Sequence, residues 1–177
     1  MTGTVARSGR RLGIDVGAAR VGVATCDPHG VLATPLVTLG RDLEGRRDVR
    51  EVLDLVREHE AIEVVVGLPR SLDGSEGPAA AHVRDWCDAL RAALTSADGF
   101  SDTPIRLVDE RLTTVDAHRG LHASGLPGRA HRRVVDQAAA VLILQAALDR
   151  ERATGEPLGE LFAGPPARKP RRKERRR

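Results

Sequence analysis

The chain has 177 residues, with 28 Lys or Arg against 25 Asp or Glu and a formal net charge of +3. That balance is uneven, because Ala167 to Arg177 holds eight bases and one acid, a local +7, and leaves −4 on everything before it. One principal domain fits this length; no apolar run reaches the roughly 20 residues of a membrane span and the start MTGTVARSGRRLG lacks a signal peptide's apolar stretch, so a cytoplasmic protein with no membrane partner is expected.

Residues 1–9 carry no periodic pattern and predict a disordered lead. From Arg11 the chain alternates, with Leu12, Ile14 and Val16 on one face of a strand and Gly13 and Asp15 on the other. After two small residues and Arg20, the run Val21 to Thr25 alternates again as a hairpin partner would. Asp27-Pro-His-Gly30 is a turn, and Val31 to Thr38 predicts a third strand that Pro35 assigns to a sheet edge. Val49, Val52, Leu53 and Val56 recur at helical spacing within residues 45–60. Ile62 to Gly67 is short, β-branched and nearly all apolar, as a strand covered on both faces should be.

A loop from Leu68 to Pro78, a helix from Ala79 to Leu94 and a buried strand from Ile105 to Val108 follow. Thr113 and Asp116 form a T-x-x-D capping box that predicts a helix to about Ser124, stopped by Gly125. A loop with Pro127 and Gly128 leads to the last helix, about Arg132 to Arg152, and residues 154–177 predict a Pro- and Gly-containing linker with a disordered basic tail. The order βββαβαβαα over residues 10–153 predicts an α/β fold. Its mixed five-stranded sheet has three antiparallel strands, then alternating elements, with helices on both faces.

Three carboxylates occupy costly positions. Asp15 lies inside the first strand, where β-propensity disfavours it and burial without a partner costs several kcal/mol. Backbone amides of a tight turn could satisfy it. Yet Gly13, Gly17, Gly22 and Ala24 are all small on its face and leave room for an ion or a phosphate. Glu110 follows a buried strand at its carboxyl end, where open α/β sheets bind ligands; a surface salt bridge to Arg111 is the alternative. Asp136 falls in the first turns of an almost wholly apolar helix, where the dipole favours it by only about 0.3 to 1 kcal/mol, and Arg132 or Arg133 could pair with it. Carboxylates that converge repel one another unless a cation compensates. Oxygen-only donors select Mg²⁺ or Mn²⁺, and two such ions about 3.5 to 4 Å apart can activate water against a phosphodiester.

The motifs Gly13-Ile-Asp-Val-Gly17 with Arg20-Val-Gly-Val-Ala24, Val66-Gly-Leu-Pro69 with Leu72-Asp-Gly74, Asp109-Glu-Arg-Leu-Thr-Thr114 and Val135-Asp-Gln-Ala-Ala139 resemble, in order and spacing, those of the YqgF/RuvX family over about residues 11 to 150. The resemblance implies a ribonuclease-H-like fold and a metal-dependent nuclease. The family is described both with pre-16S rRNA processing and with Holliday junction resolution. Asp15, Glu110 and Asp136 match its acidic triad. Leu72-Asp-Gly-Ser75 stands where members often show Met-Asp-Gly-Thr, and the loop before Asp136 is Arg-rich with His131 where many have lysines.

The expected activity is therefore two-metal hydrolysis with Asp15, Glu110 and Asp136 as catalytic residues and ligands of two Mg²⁺ or Mn²⁺ ions. On family grounds precursor rRNA is the preferred substrate and branched DNA the alternative; a junction resolvase needs two active sites, hence a homodimer. A non-catalytic nucleic-acid-binding protein is a further alternative. Arg20 and Arg111, beside the site, are candidate phosphate clamps or partners of the triad carboxylates, and Arg129, Arg132 and Arg133 are candidates to track the substrate backbone. Asp109 is expected to point away from Glu110 in a structural role, and His118 and His122 to be exposed. Cys26 and Cys87, far apart and without C-x-x-C, predict buried structural thiols. Trp86, Phe100 and Phe162 are the only aromatic residues, so stacking platforms are unavailable and recognition must work through phosphates and shape. The basic tail would add non-specific attraction by counterion release.

Overall fold

The sheet has two faces filled in different ways, and that difference positions the site. The computed structural model describes residues 7–113 and 129–164, with side chains from residue 137 onward in the second stretch. β1 (Arg11–Val16) and β2 (Arg20–Cys26) form a hairpin in which Asp15 faces Gly22, and β3 (Ala33–Gly40) runs antiparallel along β2. Val23 pairs with Val37 and Ala24 with Pro35, so Leu36 is the extra residue of a bulge on an edge strand, where a residue lacking an N–H is tolerated. β4 (Glu63–Leu68) lies parallel to β1, β5 (Ile105–Asp109) parallel to β4, and β6 (Glu160–Leu161) antiparallel to β5. The order is β3-β2-β1-β4-β5-β6.

Two helices cover the first face. α1 (Arg47–Glu58) begins where the Asp42 carboxylate accepts from the backbone N–H groups of Gly45 and Arg47, and α2 (Pro78–Thr95) opens on a proline whose ring presets the helical φ. Val49, Val52 and Val56 of α1 and Val83, Trp86, Leu90 and Leu94 of α2 bury against Leu12, Ile14, Val21, Val23, Val64, Val66, Ile105 and Leu107. Asp48, itself buried, accepts a 3.0 Å hydrogen bond from Trp86 Nε1 and ties the two helices together.

One long helix, α3 (Arg129–Thr154), covers the other face, with Ala139, Ala140, Ile143, Leu144, Ala147 and Leu148 on Ala24, Cys26, Val65 and Val108. It rides close because β1 offers Gly13 beneath it: a Cβ there would stand 2.6 Å from Leu144 Cβ and 2.8 Å from the Ala140 carbonyl oxygen. Towards the amino ends of the parallel strands the same face carries a buried ion cluster. Glu151 of α3 receives Arg11 Nη2 at 2.9 Å and Arg7 Nη2 at 2.9 Å, while Glu63 receives Arg7 Nη2 at 2.9 Å and Arg106 Nε at 2.8 Å.

Three expectations change. The sheet has six strands rather than five, because the stretch taken as linker supplies β6. Phe162 N–H donates to the Ile105 carbonyl, and Gly159, at φ 91°, lies so close to the Leu107 carbonyl that a Cβ would collide with it. The stretch taken as a lead already packs at Arg7 and at Gly9, whose N–H donates to the Pro28 carbonyl. The last helix starts at Arg129, one turn earlier than its apolar periodicity suggested, because its first residues are polar. The helix expected over 113–124, with His118 and His122, lies outside the described residues beyond Thr113.

Candidate active site

Leu12, Ile14, Val64, Val66, Ile105 and Leu107 point towards α1 and α2, so strand alternation turns Gly13 and Asp15 of β1, Val65 and Gly67 of β4 and Val108 of β5 towards α3. On β2 the same alternation sets Arg20 and Gly22 on Asp15's side of the hairpin. At the carboxyl end of the parallel strands this face holds two buried carboxylates, Asp15 at 5% exposure and Glu110 at 2%. β4 separates their strands, which spaces the backbones by two strand intervals, about 10 Å.

Gly67 lets them approach. It lies one step beyond the Ile14–Val66 pair, level with Asp15, and Glu110 leans over it: Oε1 and Cγ lie 2.8 Å and 3.3 Å from the position a Gly67 Cβ would take. Asp15 thus has Gly22 on one flank and Gly67 on the other. Asp136 belongs to α3 by its backbone, one turn ahead of Ala140, the residue pressed onto Gly13. Its side chain, and those of Arg129, Arg132 and Arg133, lie outside the described residues. The helix places these three arginines on the first turns of α3 rather than in a loop.

The strand end after β5 resolves the choice between a buried Glu110 and a surface pair with Arg111. Glu110 to Leu112 form a 3-10 turn capped by Asp109, whose carboxylate accepts from the Arg111 backbone N–H at 3.0 Å. The Arg111 guanidinium grips that carboxylate through Nε at 3.0 Å and Nη2 at 2.6 Å, which holds the Asp109 carboxyl below the usual carboxylate range. Its Nη1 donates to the carbonyls of Ser71 at 3.3 Å and Leu72 at 3.2 Å. Arg111 therefore works as a clasp between the strand end and the loop after β4, and Asp109 points away from Glu110 as expected.

The donor set suits a hard divalent ion: two buried carboxylates, oxygen only, side by side where a glycine has made room. Among the described residues no three His, Cys, Asp or Glu side chains gather, and the backbone of α3 carries position 136 towards the same end of the sheet. Both cysteines are buried and reduced, and burial pushes the Cys87 thiol up to about 12, so neither offers a thiolate.

A family model described as RuvX, Holliday junction resolvase, matches residues 9–150. The chain belongs to the RuvX family. A Streptomyces coelicolor protein named "Putative pre-16S rRNA nuclease" is 57% identical over 155 residues, covering 87% of this chain and 88% of its own length. One of the same name from Kineococcus radiotolerans is 53% identical over 171 residues, covering 97% and 86%. Among solved structures, Thermus thermophilus RuvC in complex with a Holliday junction substrate matches 85% of this chain and 99% of its own, with a TM-score of 0.50 and 16% identity, a likeness of fold. The ribonuclease-H-like architecture expected from the motifs is thus present, and RuvX membership makes the chain a nuclease acting on phosphodiester bonds.

Two features of this RuvX site escaped the sequence reading. A tight strand-to-helix turn is enough to explain Gly67 from its local sequence, although a glycine in an inward position of a β-branched run is a signal of close approach. The Arg111 clasp depends on a contact across some 40 residues, with no local pattern. Gly67→Ala tests the first. The methyl meets Ile143 Cδ1 at 2.5 Å, which can rotate away, and Glu110 Oε1 at 2.8 Å, which cannot move without leaving its place. We expect a stability loss of about 1 to 3 kcal/mol by denaturant unfolding, together with a fall in kcat larger than any rise in KM. Wild-type kcat in a folded Gly67→Ala protein would show that Glu110's position over Gly67 does not matter.

Proposed function

We infer that this RuvX protein is a divalent-metal-dependent ribonuclease of the cytoplasm that trims the 5′ end of precursor 16S rRNA. The observation that carries the chemistry is the burial of Asp15 and Glu110 at one end of the sheet on the α3 face, with Glu110 leaning over Gly67; the relatives' names suggest the substrate. Asp15, Glu110 and Asp136 would hold two Mg²⁺ or Mn²⁺ ions. Such ions supply a nucleophilic water at neutral pH and charge stabilisation for the leaving oxygen of an in-line displacement. Asp15 and Glu110 contribute fixed negative charge on rigid strand ends, and their burial excludes bulk water from the reacting phosphate. Arg20, on the Asp15 face of the hairpin, and Arg129, Arg132 and Arg133, on the first turns of α3, are the guanidinium groups that receive phosphate oxygens. Arg111 acts on the substrate through the loop it holds. The +7 of Ala167 to Arg177 adds attraction for any polyanion without specificity.

The test uses the full chain with Mg²⁺ or Mn²⁺ and, in parallel, a precursor 16S 5′ leader, a four-way DNA junction and a plain duplex. Cleavage of the leader at a defined position, with the DNA intact, is the expected result. Symmetric cutting of the junction with the leader intact would overturn the RNA reading in favour of a dimeric resolvase. Cleavage of none of them would overturn the metal-dependent nuclease.

A further inference from the structure

The loop after β4 holds an apolar side chain in solvent at the rim of the carboxylate site. Leu72 is 95% exposed, the most exposed of the large apolar residues described, and Leu112, two residues past Glu110, is 65% exposed. An exposed leucine on a mobile loop would be unremarkable. This loop is pinned: Ser71 N–H donates to the Ser75 carbonyl at 2.9 Å, Gly74 N–H to the Ser71 carbonyl at 2.8 Å, and Asp73 Oδ1 accepts from both the backbone N–H and the hydroxyl of Ser75. Arg111 then fastens the Ser71 and Leu72 carbonyls to the strand end that carries Glu110. The backbone of Leu72 is thus tied by one side chain to the neighbour of a buried active-site carboxylate, while its own side chain is kept from folding onto the core.

The aromatic inventory says what such a group is for. Trp86 is fully buried, Phe100 and Phe162 pack against the core under α2, and tyrosine is absent. No aromatic face is presented at the carboxylate edge among the described residues, so a nucleobase brought there meets Leu72 and Leu112 as its apolar surfaces. Leucine is among the side chains that insert between base steps and hold them unstacked.

We propose that Leu72, presented by the Arg111-clasped loop, is an apolar wedge that packs against a nucleobase flanking the scissile phosphate and holds it out of its stack. Resting on the nuclease reading above, this assigns Leu72 a positioning role: it selects the nucleotide delivered to the carboxylates and does not touch the reacting atoms. A protein partner could also cover an exposed leucine, but the position of this one, bound to Glu110's neighbour, favours the substrate itself.

The experiment separates wedge from chemistry. Asp15→Asn chain, alone and combined with Leu72→Ala, Leu72→Phe or Leu161→Ala, is titrated with the precursor leader and the DNA junction carrying 2-aminopurine at each position near the cleavage site. Leu161, 60% exposed on β6, is the control. At one position fluorescence should rise on binding to Asp15→Asn and to the Leu72→Phe and Leu161→Ala combinations, and fail to rise with Leu72→Ala. In the otherwise wild-type enzyme Leu72→Ala should raise KM about tenfold, about 1.4 kcal/mol, with a far smaller change in kcat. Equal fluorescence with and without Leu72, or an unchanged KM, overturns the wedge. Loss of binding to a protein partner with the base signal unchanged overturns it in favour of a docking role. The fluorescence readout needs no cleavage, so failure of the nuclease reading shows as an uncut substrate, and failure of the wedge as a silent base.

Discussion

Asp15→Asn is expected to reduce metal-dependent cleavage about a thousandfold or more, some 4 kcal/mol of transition-state stabilisation, and to leave a folded protein. Asparagine keeps the shape of the side chain and one acceptor oxygen, so the 5%-exposed site beside Gly22 and Gly67 stays filled. The charge is what disappears, and charge is what holds a divalent ion in an oxygen-only site. Glu110→Gln should give the same result from the other side of Gly67. The measurements are single-turnover cleavage of the precursor leader, Mn²⁺ binding by calorimetry and urea unfolding. The signature is lost cleavage and weakened ion binding with the unfolding midpoint little changed. Cleavage by Asp15→Asn within tenfold of wild type would remove the basis for a metal site at this strand end.

The largest effect on stability is expected far from that site, at Glu151. Glu151→Ala should cost about 3 kcal/mol, out of a total that for domains of this kind is about 5 to 15. Breaking a buried pair from one side costs about 3 to 5 kcal/mol because the remaining charge is stranded. The lower part of that range applies because Arg11, only 2% exposed, would still have Glu63 at 3.9 Å, and Arg7 is partly solvated. Arg11 Nε already has no hydrogen-bond partner, so Glu151 is its principal compensation. Acid should show the same dependence. Burial alone would raise the Glu151 carboxyl, but hydrogen bonds from Arg7 and the charge of Arg11 outweigh it and set the folded value below the ordinary range of glutamate. A group depressed on folding stabilises above its unfolded pKa and loses that contribution as pH falls through its folded pKa. Wild type should therefore lose stability below about pH 4, and the gap between wild type and Glu151→Ala should narrow there. Urea unfolding at pH 7 and from pH 5 to 3 checks both; a difference under 1 kcal/mol at pH 7 would show the cluster to be merely tolerated.

Most of the fold was legible because strand alternation and helical spacing are local. β1 and the first helix fall where Leu12, Ile14, Val49, Val52 and Val56 put them, β2 where Val21 to Thr25 alternates, and β4 on the apolar run that ends at Gly67. The carboxylates were legible for a different reason: Asp15 inside a strand and Glu110 just past one are anomalies against their own surroundings. What could not be read is whatever depends on pairing between distant segments. Glu160 and Leu161 make a strand only because β5 offers an open edge. Arg7, Arg11, Glu63, Arg106 and Glu151 look like scattered surface charge until three neighbouring strands and α3 bring them together; Arg11, Glu63 and Arg106 do alternate with core residues, a pattern visible only once the strands are known to be adjacent. The Arg111 clasp belongs to the same class. Its pair with Asp109 is local, but the Ser71 and Leu72 carbonyls it holds lie some 40 residues away.

Glu151 and Asp136 lie on one rod. Fifteen residues of helix separate them, about 22 Å along the axis of α3, with Gly13 as the bearing between, where Leu144 and the Ala140 carbonyl rest on the sheet. A bearing of that kind limits how close the rod can come but does little to fix its rotational phase. The arginines around Glu151 hold that phase together with the apolar side of α3, acting as a stop at the far end, because turning α3 by one residue, about 100°, would pull Glu151 from Arg7 and Arg11 as well as Ala140, Ile143 and Leu144 from the sheet. The ion cluster thereby helps to set the angular alignment of the helix turn at position 136 from the opposite end of the molecule.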